Sequence, residues 1–149
     1  MNKIELNKTY DFEIKNVAFG PIPTSRLLEL YKDGRVAAIM VEEALTHWFS
    51  ELTRIEGNKD HDHVDREGRK FDAKCFTKHG LNFRPSNQMG AGRKFNEAIA
   101  HQKASELIYT CCGITDFPRV RVKFVEGSNL VQQYPSCSIP KGQREVFFG

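Results

Sequence analysis

Three side chains near the middle of the chain have the types and spacing for phosphate chemistry. Asp72 and Lys74 stand two residues apart in Lys70-Phe71-Asp72-Ala73-Lys74, and Asp62 precedes them across the stretch Asp65-Arg66-Glu67-Gly68. Side chains two apart on a strand share a face, so Asp72 and Lys74 point together while Phe71 and Ala73 point to a core. Residues 61–77 are expected to fold as a hairpin with arms at about 61–65 and 70–77. Arg66-Glu67-Gly68 makes the turn, with Gly68 free to take positive φ. Folding back brings Asp62 beside Asp72, so two carboxylates meet one ammonium. Crowded carboxylates repel each other. A hard cation that takes oxygen ligands and keeps several waters relieves that repulsion, which points to Mg²⁺, with Mn²⁺ as a substitute. Such an ion polarises a phosphate and activates water for attack on it. Lys74, kept protonated by its acidic neighbours, is expected to orient the water and stabilise developing charge rather than abstract a proton.

The flanking sequence supplies elements that could hold such a hairpin. Residues 9–19 alternate Tyr10, Phe12 and Ile14 with polar neighbours and then shift phase to Val17 and Phe19, a strand with an irregularity. Thr24 or Ser25 is placed to cap a short helix through Tyr31, which Asp33-Gly34 ends. From Arg35 to Leu52 the period is helical, with Ala37, Val41, Ala44, Leu45, Trp48 and Leu52 on one face. Glu43 lies nearly opposite that face and Glu42 at its flank. Residues 80–92 read as a loop, residues 93–104 as a helix, and Leu107–Cys112 and Val120–Val125 as strands. In the second strand Arg119, Arg121 and Lys123 form one face, which suits either phosphate or solvent. Beyond it the chain reads as loop-rich. This order predicts a single α/β (α+β) domain with a mixed sheet flanked by helices.

Composition narrows the class. The chain has 149 residues, 40% of them hydrophobic and 28% charged, which fits one soluble domain with one core. No apolar run approaches the roughly 20 residues that cross a bilayer, and the N-terminus lacks a secretory h-region, so a cytoplasmic protein is expected. The net charge is only +3, but acidic residues 59–65 adjoin a basic stretch over residues 66–94, a pattern that suits a cation beside a polyanion. Cys75, Cys111, Cys112 and Cys137 form no Cys-x-x-Cys pair and are expected as free, mostly buried thiols. His61 and His63 share a strand face. Zinc is a lesser alternative for them, and exposure or DNA contact the simpler one.

The stretch Asp62-His63-Val64-Asp65-Arg66-Glu67-Gly68-Arg69-Lys70-Phe71-Asp72-Ala73-Lys74 resembles the catalytic hairpin of the PD-(D/E)XK nuclease superfamily, and in particular of small type II restriction endonucleases. The likeness covers residues 35–125. Asp62 matches the first acid and Asp72-Ala73-Lys74 the (D/E)xK element, whereas His61 replaces the usual proline. The resemblance implies a restriction-endonuclease-like fold and metal-dependent hydrolysis of DNA. It also implies the Ala73 carbonyl as a metal ligand beside Asp62 and Asp72. A further acid from the first long helix is expected, Glu43 ahead of Glu42.

DNA contact is expected from the segment after the catalytic strand, through Lys78, Asn82, Arg84, Ser86, Asn87, Gln88, Arg93 and Lys94. Arginine can read guanine, and asparagine or glutamine adenine. A restriction or homing endonuclease leads this reading. A Holliday-junction resolvase is the near alternative, and a non-catalytic DNA-binding protein with a nuclease-like fold the one from another class. One active site per chain, set against two DNA strands, predicts a homodimer, or a tetramer where two recognition modules are needed. Residues 1–34 are read as an addition to the core. Their apolar side chains Tyr10, Phe12, Ile14 and Phe19, with Val146-Phe147-Phe148, are the candidate joining surfaces.

Overall fold

In the computed structural model, which describes residues 2–57 and 60–149, the chain forms a mixed sheet with helices on both faces. The elements run β1 (Thr9–Glu13), α1 (Thr24–Lys32), α2 (Arg35–Trp48), β2 (Thr53–Arg54), β3 (His63–Val64), β4 (Lys70–Phe76), β5 (Leu81–Asn82), α3 (Glu97–Ala104), β6 (Ile108–Gly113), β7 (Arg119–Glu126), α4 (Gly127–Gln133), β8 (Ser138–Ile139) and α5 (Arg144–Phe148). The main sheet has the order β1-β7-β6-β4-β3-β2, and β5 pairs with β8 in a small second sheet. Only β4 and β6 run parallel; the other pairs of the main sheet are antiparallel. The α/β class expected from the sequence is the one observed. No helix among the described residues is long and apolar enough to cross a membrane.

The alternation of side chains sorts the sheet into two cores. On one face Phe71 of β4, Ile108 and Cys112 of β6, Val120, Val122 and Phe124 of β7 and Tyr10 of β1 pack against Ala37, Val41, Leu45 and Phe49 in and just after α2. Phe49 sits at the centre, edge-on to Tyr10, Phe12 and Phe124. On the other face Tyr109, Cys111 and Val125 pack against α3, α4, β8 and the C-terminal pair Phe147-Phe148. Strand β6 lies between the two cores and is buried along its whole length, which accounts for its largely apolar run, interrupted by Thr110. Cys111, Cys112 and Cys137 are buried free thiols, and Cys75 is half-buried. Gly127 lets α4 start against the end of α3. A Cβ there would stand 1.9 Å from the Ala104 carbonyl oxygen, which no side chain can tolerate.

Four expectations change. Residues 9–13 are the edge strand of the main sheet, so the N-terminal segment is built into the core rather than added to it. Tyr10 is buried, Phe12 and Ile14 pack on the first core, and Phe147 and Phe148 belong to the second. Of the proposed joining surface, Phe19 and Val146 are the side chains left exposed. The segment after β7 is not loop-rich but folds as α4, β8 and α5. Finally, the cationic face of β7 is mostly covered, with Arg121 buried and Lys123 half-buried, while Arg119 stays exposed. Arg119 pairs with Asp11, Arg121 with Glu145 and Asp116, and Lys123 donates to the Phe147 carbonyl. α5 covers this face, and five residues are too short a stretch to reveal helical periodicity in sequence.

Arg121 is only 6% exposed, and its fork on Glu145 ties α5 to the sheet through two bonds of 2.8 and 2.9 Å. That pairing, with Arg144 assisting, holds the Glu145 carboxyl at about 2, below the ordinary 4.5. A carboxyl depressed in the folded state stabilises the fold above its unfolded value and loses that contribution as pH falls towards its folded value. Glu145→Gln is therefore expected to lower the melting temperature at pH 7. Its melting temperature should fall less than that of the unmodified chain between about pH 4.5 and pH 2. Parallel melting curves across that window would show the pairing to be unimportant.

Candidate active site

The hairpin forms, with shorter arms than its sequence suggested. β3 pairs with β4 at His63↔Phe71 and Val64↔Lys70, and Asp62 extends the ladder by donating its N–H to the Phe71 carbonyl. The turn is organised by Asp65. Its Oδ1 accepts the N–H groups of Glu67 and Arg69, its Oδ2 accepts Arg69 Nε at 2.7 Å, and Gly68 takes φ 84°. Burial alone would raise the Asp65 carboxyl; the Arg69 and Glu67 hydrogen bonds outweigh it and hold the group below its usual range. Asp65 thus shapes the turn and lies apart from the chemistry.

Past Phe71, no strand among the described residues lies beside the outer edge of β4. The Ala73 N–H is instead accepted by Asp62 Oδ2 at 2.8 Å. Within a strand the N–H and C=O of one residue face the same neighbour. The Ala73 carbonyl therefore lies on the same open edge as Asp62. Asp72 and Lys74 project from the face shared with Tyr109 and Cys111, their register partners on β6. Lys74 Nζ lies 3.3 Å from Asp72 Oδ2.

These groups line a cleft of about 260 Å³ together with Glu42, Asp60, Phe83, Arg84, Ser86, Lys103 and Tyr109. The three residues read from the motif are thus brought together. Burial pushes the Asp72 carboxyl up to about 7. Lys74 opposes the rise, while Asp62 adds to it through its charge and a shared hydrogen bond. Glu42 is raised as well, by burial first and the charge of Asp62 second, against the pull of Arg54 at 3.4 Å. Burial also raises the Tyr109 hydroxyl.

The acid contributed by α2 differs from the leading expectation. Glu43 is exposed and faces His47 and Arg54, while Glu42 lines the cleft. A helical wheel finds the residue opposite the core, but the cleft lies at the sheet edge beside the core, where a flanking residue reaches it.

His63 is fully buried rather than exposed or poised for DNA, and its Nε2 bonds the Glu42 carbonyl at 2.8 Å. Burial lowers its pKa. That bond locks together β3 and the turn of α2 that carries Glu42.

Among the described residues no three His, Cys, Asp or Glu side chains form a metal cage. The donors present do fit a cation of the Mg²⁺ kind, which binds through one or two carboxylates and retains waters. Asp72 is raised by burial first, with the neighbouring Asp62 adding to the rise, and a main-chain carbonyl shares the edge with Asp62.

The expected DNA-contact segment divides. Arg84 and Ser86 line the cleft, with Arg84 over the Phe95 ring and bonded to the Ser136 carbonyl. Asn82, Asn87, Arg93 and Lys94 are exposed, Asn82 accepting the Arg84 N–H and Arg93 reaching the Ser86 carbonyl. Gln88 is only 9% exposed. Its side-chain oxygen accepts the Asn96 N–H, so it anchors the loop to the start of α3 instead of facing outward. Lys78 lies in a separate hollow with Asp33 and Arg35. Sequence reasoning missed Asp60, Lys103 and Tyr109. Their signal was weak, because three separate segments deliver them and no short spacing links them.

No protein-family model matches the chain, and comparison with curated proteins and with solved structures gives no match.

Asp65→Ala leaves two turn N–H groups without their acceptor and should cost about 1–3 kcal/mol of stability. Chemical denaturation of this variant beside Asp65→Asn, which keeps one acceptor oxygen, is the measurement. An unchanged midpoint for the alanine variant would mean that the turn forms without it.

Proposed function

We propose that this protein is a Mg²⁺-dependent DNA endonuclease built on a PD-(D/E)XK-type core and hydrolysing phosphodiester bonds, of the restriction or homing type. The observation that carries the reading is the meeting of Asp62, Asp72, Lys74 and the Ala73 main chain at one open strand edge inside a cleft. Asp62, Asp72 and the Ala73 carbonyl would hold the cation, with Glu42 beside them. Bound there, Mg²⁺ supplies charge neutralisation at the phosphate and lowers the pKa of water. Lys74, paired with Asp72, orients the attacking water and stabilises the charge that develops on the phosphate oxygens. Arg84 and Ser86 line the cleft and Arg93 reaches the Ser86 carbonyl, so these side chains, with the exposed Asn87 and Lys94 of the same segment, would meet the duplex. A homodimer belongs to this proposal because one chain offers one such edge and a double-strand cut needs two. The outer face of α2, with Val36, Ile39 and Met40 exposed, is available for joining copies where Tyr10 and Phe148 are not.

Lys74→Ala is expected to lower cleavage about 10²–10³-fold while leaving the fold intact. Glu42→Gln should impair cleavage more than Glu43→Gln. The assay takes plasmid, linear duplex and four-way junction, each with Mg²⁺ or with EDTA. Preference for the junction would make the protein a resolvase. Binding without cutting of any substrate would leave a DNA-binding protein, and full activity in EDTA would overturn the carboxylate assignment. A second readout needs no turnover. Mg²⁺ should raise the melting temperature by mass action on the folded state, more at pH 8 than at pH 6 because Asp72 sheds its proton near 7. Asp72→Asn should abolish that rise, and a rise unaffected by this substitution would place cation binding elsewhere.

A further inference from the structure

The cleft has a second wall, formed by α3. Lys103, in the last turn of that helix, lines the cleft with Arg84, and its Nζ lies 3.3 Å from Oδ1 of Asp60 in the connection between β2 and β3. We propose that Lys103 is a phosphate-binding residue, that Asp60 occupies it in the free protein, and that an incoming phosphodiester displaces Asp60. This rests on the phosphodiester reading above and adds how the anion is drawn into a cleft whose floor repels it.

The lining carries four carboxylates, Glu42, Asp60, Asp62 and Asp72, against three cations, Lys74, Arg84 and Lys103. A phosphodiester entering such a cleft needs a cation able to turn towards it. Lys74 is held in the empty cleft by Asp72, whose side chain is 16% exposed, and on the reading above serves the reacting phosphate once a cation shares Asp72, so it does not draw the anion in. Arg84 is held over Phe95 and against the Ser136 carbonyl. Lys103 differs from both. Its partner Asp60 is 78% exposed, while Lys103 itself is 33% exposed at the cleft wall. An ion pair with one partner in water contributes little, and Asp60 is rehydrated as soon as it is released. A phosphate oxygen in the partly dry cleft offers Lys103 a stronger, charge-assisted bond. Asp60 thus acts as a stand-in anion that keeps Lys103 from folding onto the Asp62–Asp72 carboxylates while the cleft is empty.

The test measures binding of a labelled duplex by the full chain with Ca²⁺ in place of Mg²⁺, over a range of salt concentrations. Lys103→Gln should weaken binding about tenfold. It should also reduce the slope of log affinity against log salt by about one. Lys103→Arg should retain both. Asp60→Asn should tighten binding about two- to fivefold, since the competing anion is gone, and should add nothing in a Lys103→Gln background. A purely structural tie predicts the opposite sign for Asp60→Asn, with weakening equal to that of Lys103→Gln. That result, or an unchanged salt slope in Lys103→Gln, overturns the proposal. Matching melting curves for all variants separate binding effects from folding. If the unmodified chain binds neither duplex nor four-way junction, the phosphodiester reading itself falls, and the role of Lys103 with it.

Discussion

The Ala73 N–H would enter the ladder of β3 if that strand continued, but it is taken by the side chain of Asp62. A main-chain donor in a half-buried strand needs a partner, and leaving it without one costs about as much as a lost hydrogen bond. Because a carboxylate meets that need, β3 can stop after two residues and leave the middle of β4 uncovered. The cleft exists because of this substitution. The same bond commits one oxygen of Asp62 to the backbone, so the carboxylate cannot rotate away from Asp72. The position of one acid relative to the other is therefore set by strand geometry and not by loop conformation.

Strand β4 then carries two incompatible demands on alternate residues. Phe71 and Ala73 face the aromatic core around Phe49, where any polar atom would be penalised. Asp72 and Lys74 face the other way, among Tyr109, Phe83 and Leu107. Those apolar walls are the reason the Asp72 carboxyl is lifted so far: they remove water, which strengthens both the attraction of Lys74 and the repulsion of Asp62. The central position of β4, bonded in parallel to β6 through six residue pairs, keeps such a crowded group from relaxing.

Much of this was legible in the residues themselves, and the gaps have physical causes. Period-two spacing placed Asp72 and Lys74 on one face, and a plausible turn brought Asp62 back to them, because both signals are local. The helical face of Ala37, Val41 and Leu45 was equally plain. What failed depended on contacts distant in sequence. Arg121 and Lys123 looked like a solvated or phosphate-binding face because nothing near them announces Glu145 or the Phe147 carbonyl. Tyr10 and Phe148 looked like spare apolar surface because edge-strand pairing with β7 and the docking of α5 have no signature in a single segment. Glu43 ranked ahead of Glu42 because a wheel drawn on one helix does not include the sheet edge beside it. His63 looked exposed or free to contact DNA, yet it is buried and its ring links β3 to the Glu42 carbonyl.

The parallel pairing of β4 with β6 has one more consequence. Parallel neighbours cannot be joined by a tight turn, so the chain must travel across a face of the sheet between them, here through residues 77–107. Both ends of that excursion are pinned by the sheet, while its middle, around residues 86–95, is mostly exposed, with Gln88 buried and Phe95 packed on the second core. Lengthening a connection whose ends are already fixed costs only slowly growing entropy. Insertions and exchanges in that middle stretch can therefore accumulate without moving Asp62, Asp72 or Lys74. On the proposed function, selectivity for a target and the capacity for chemistry would then be housed in parts of the chain that can diverge at different rates.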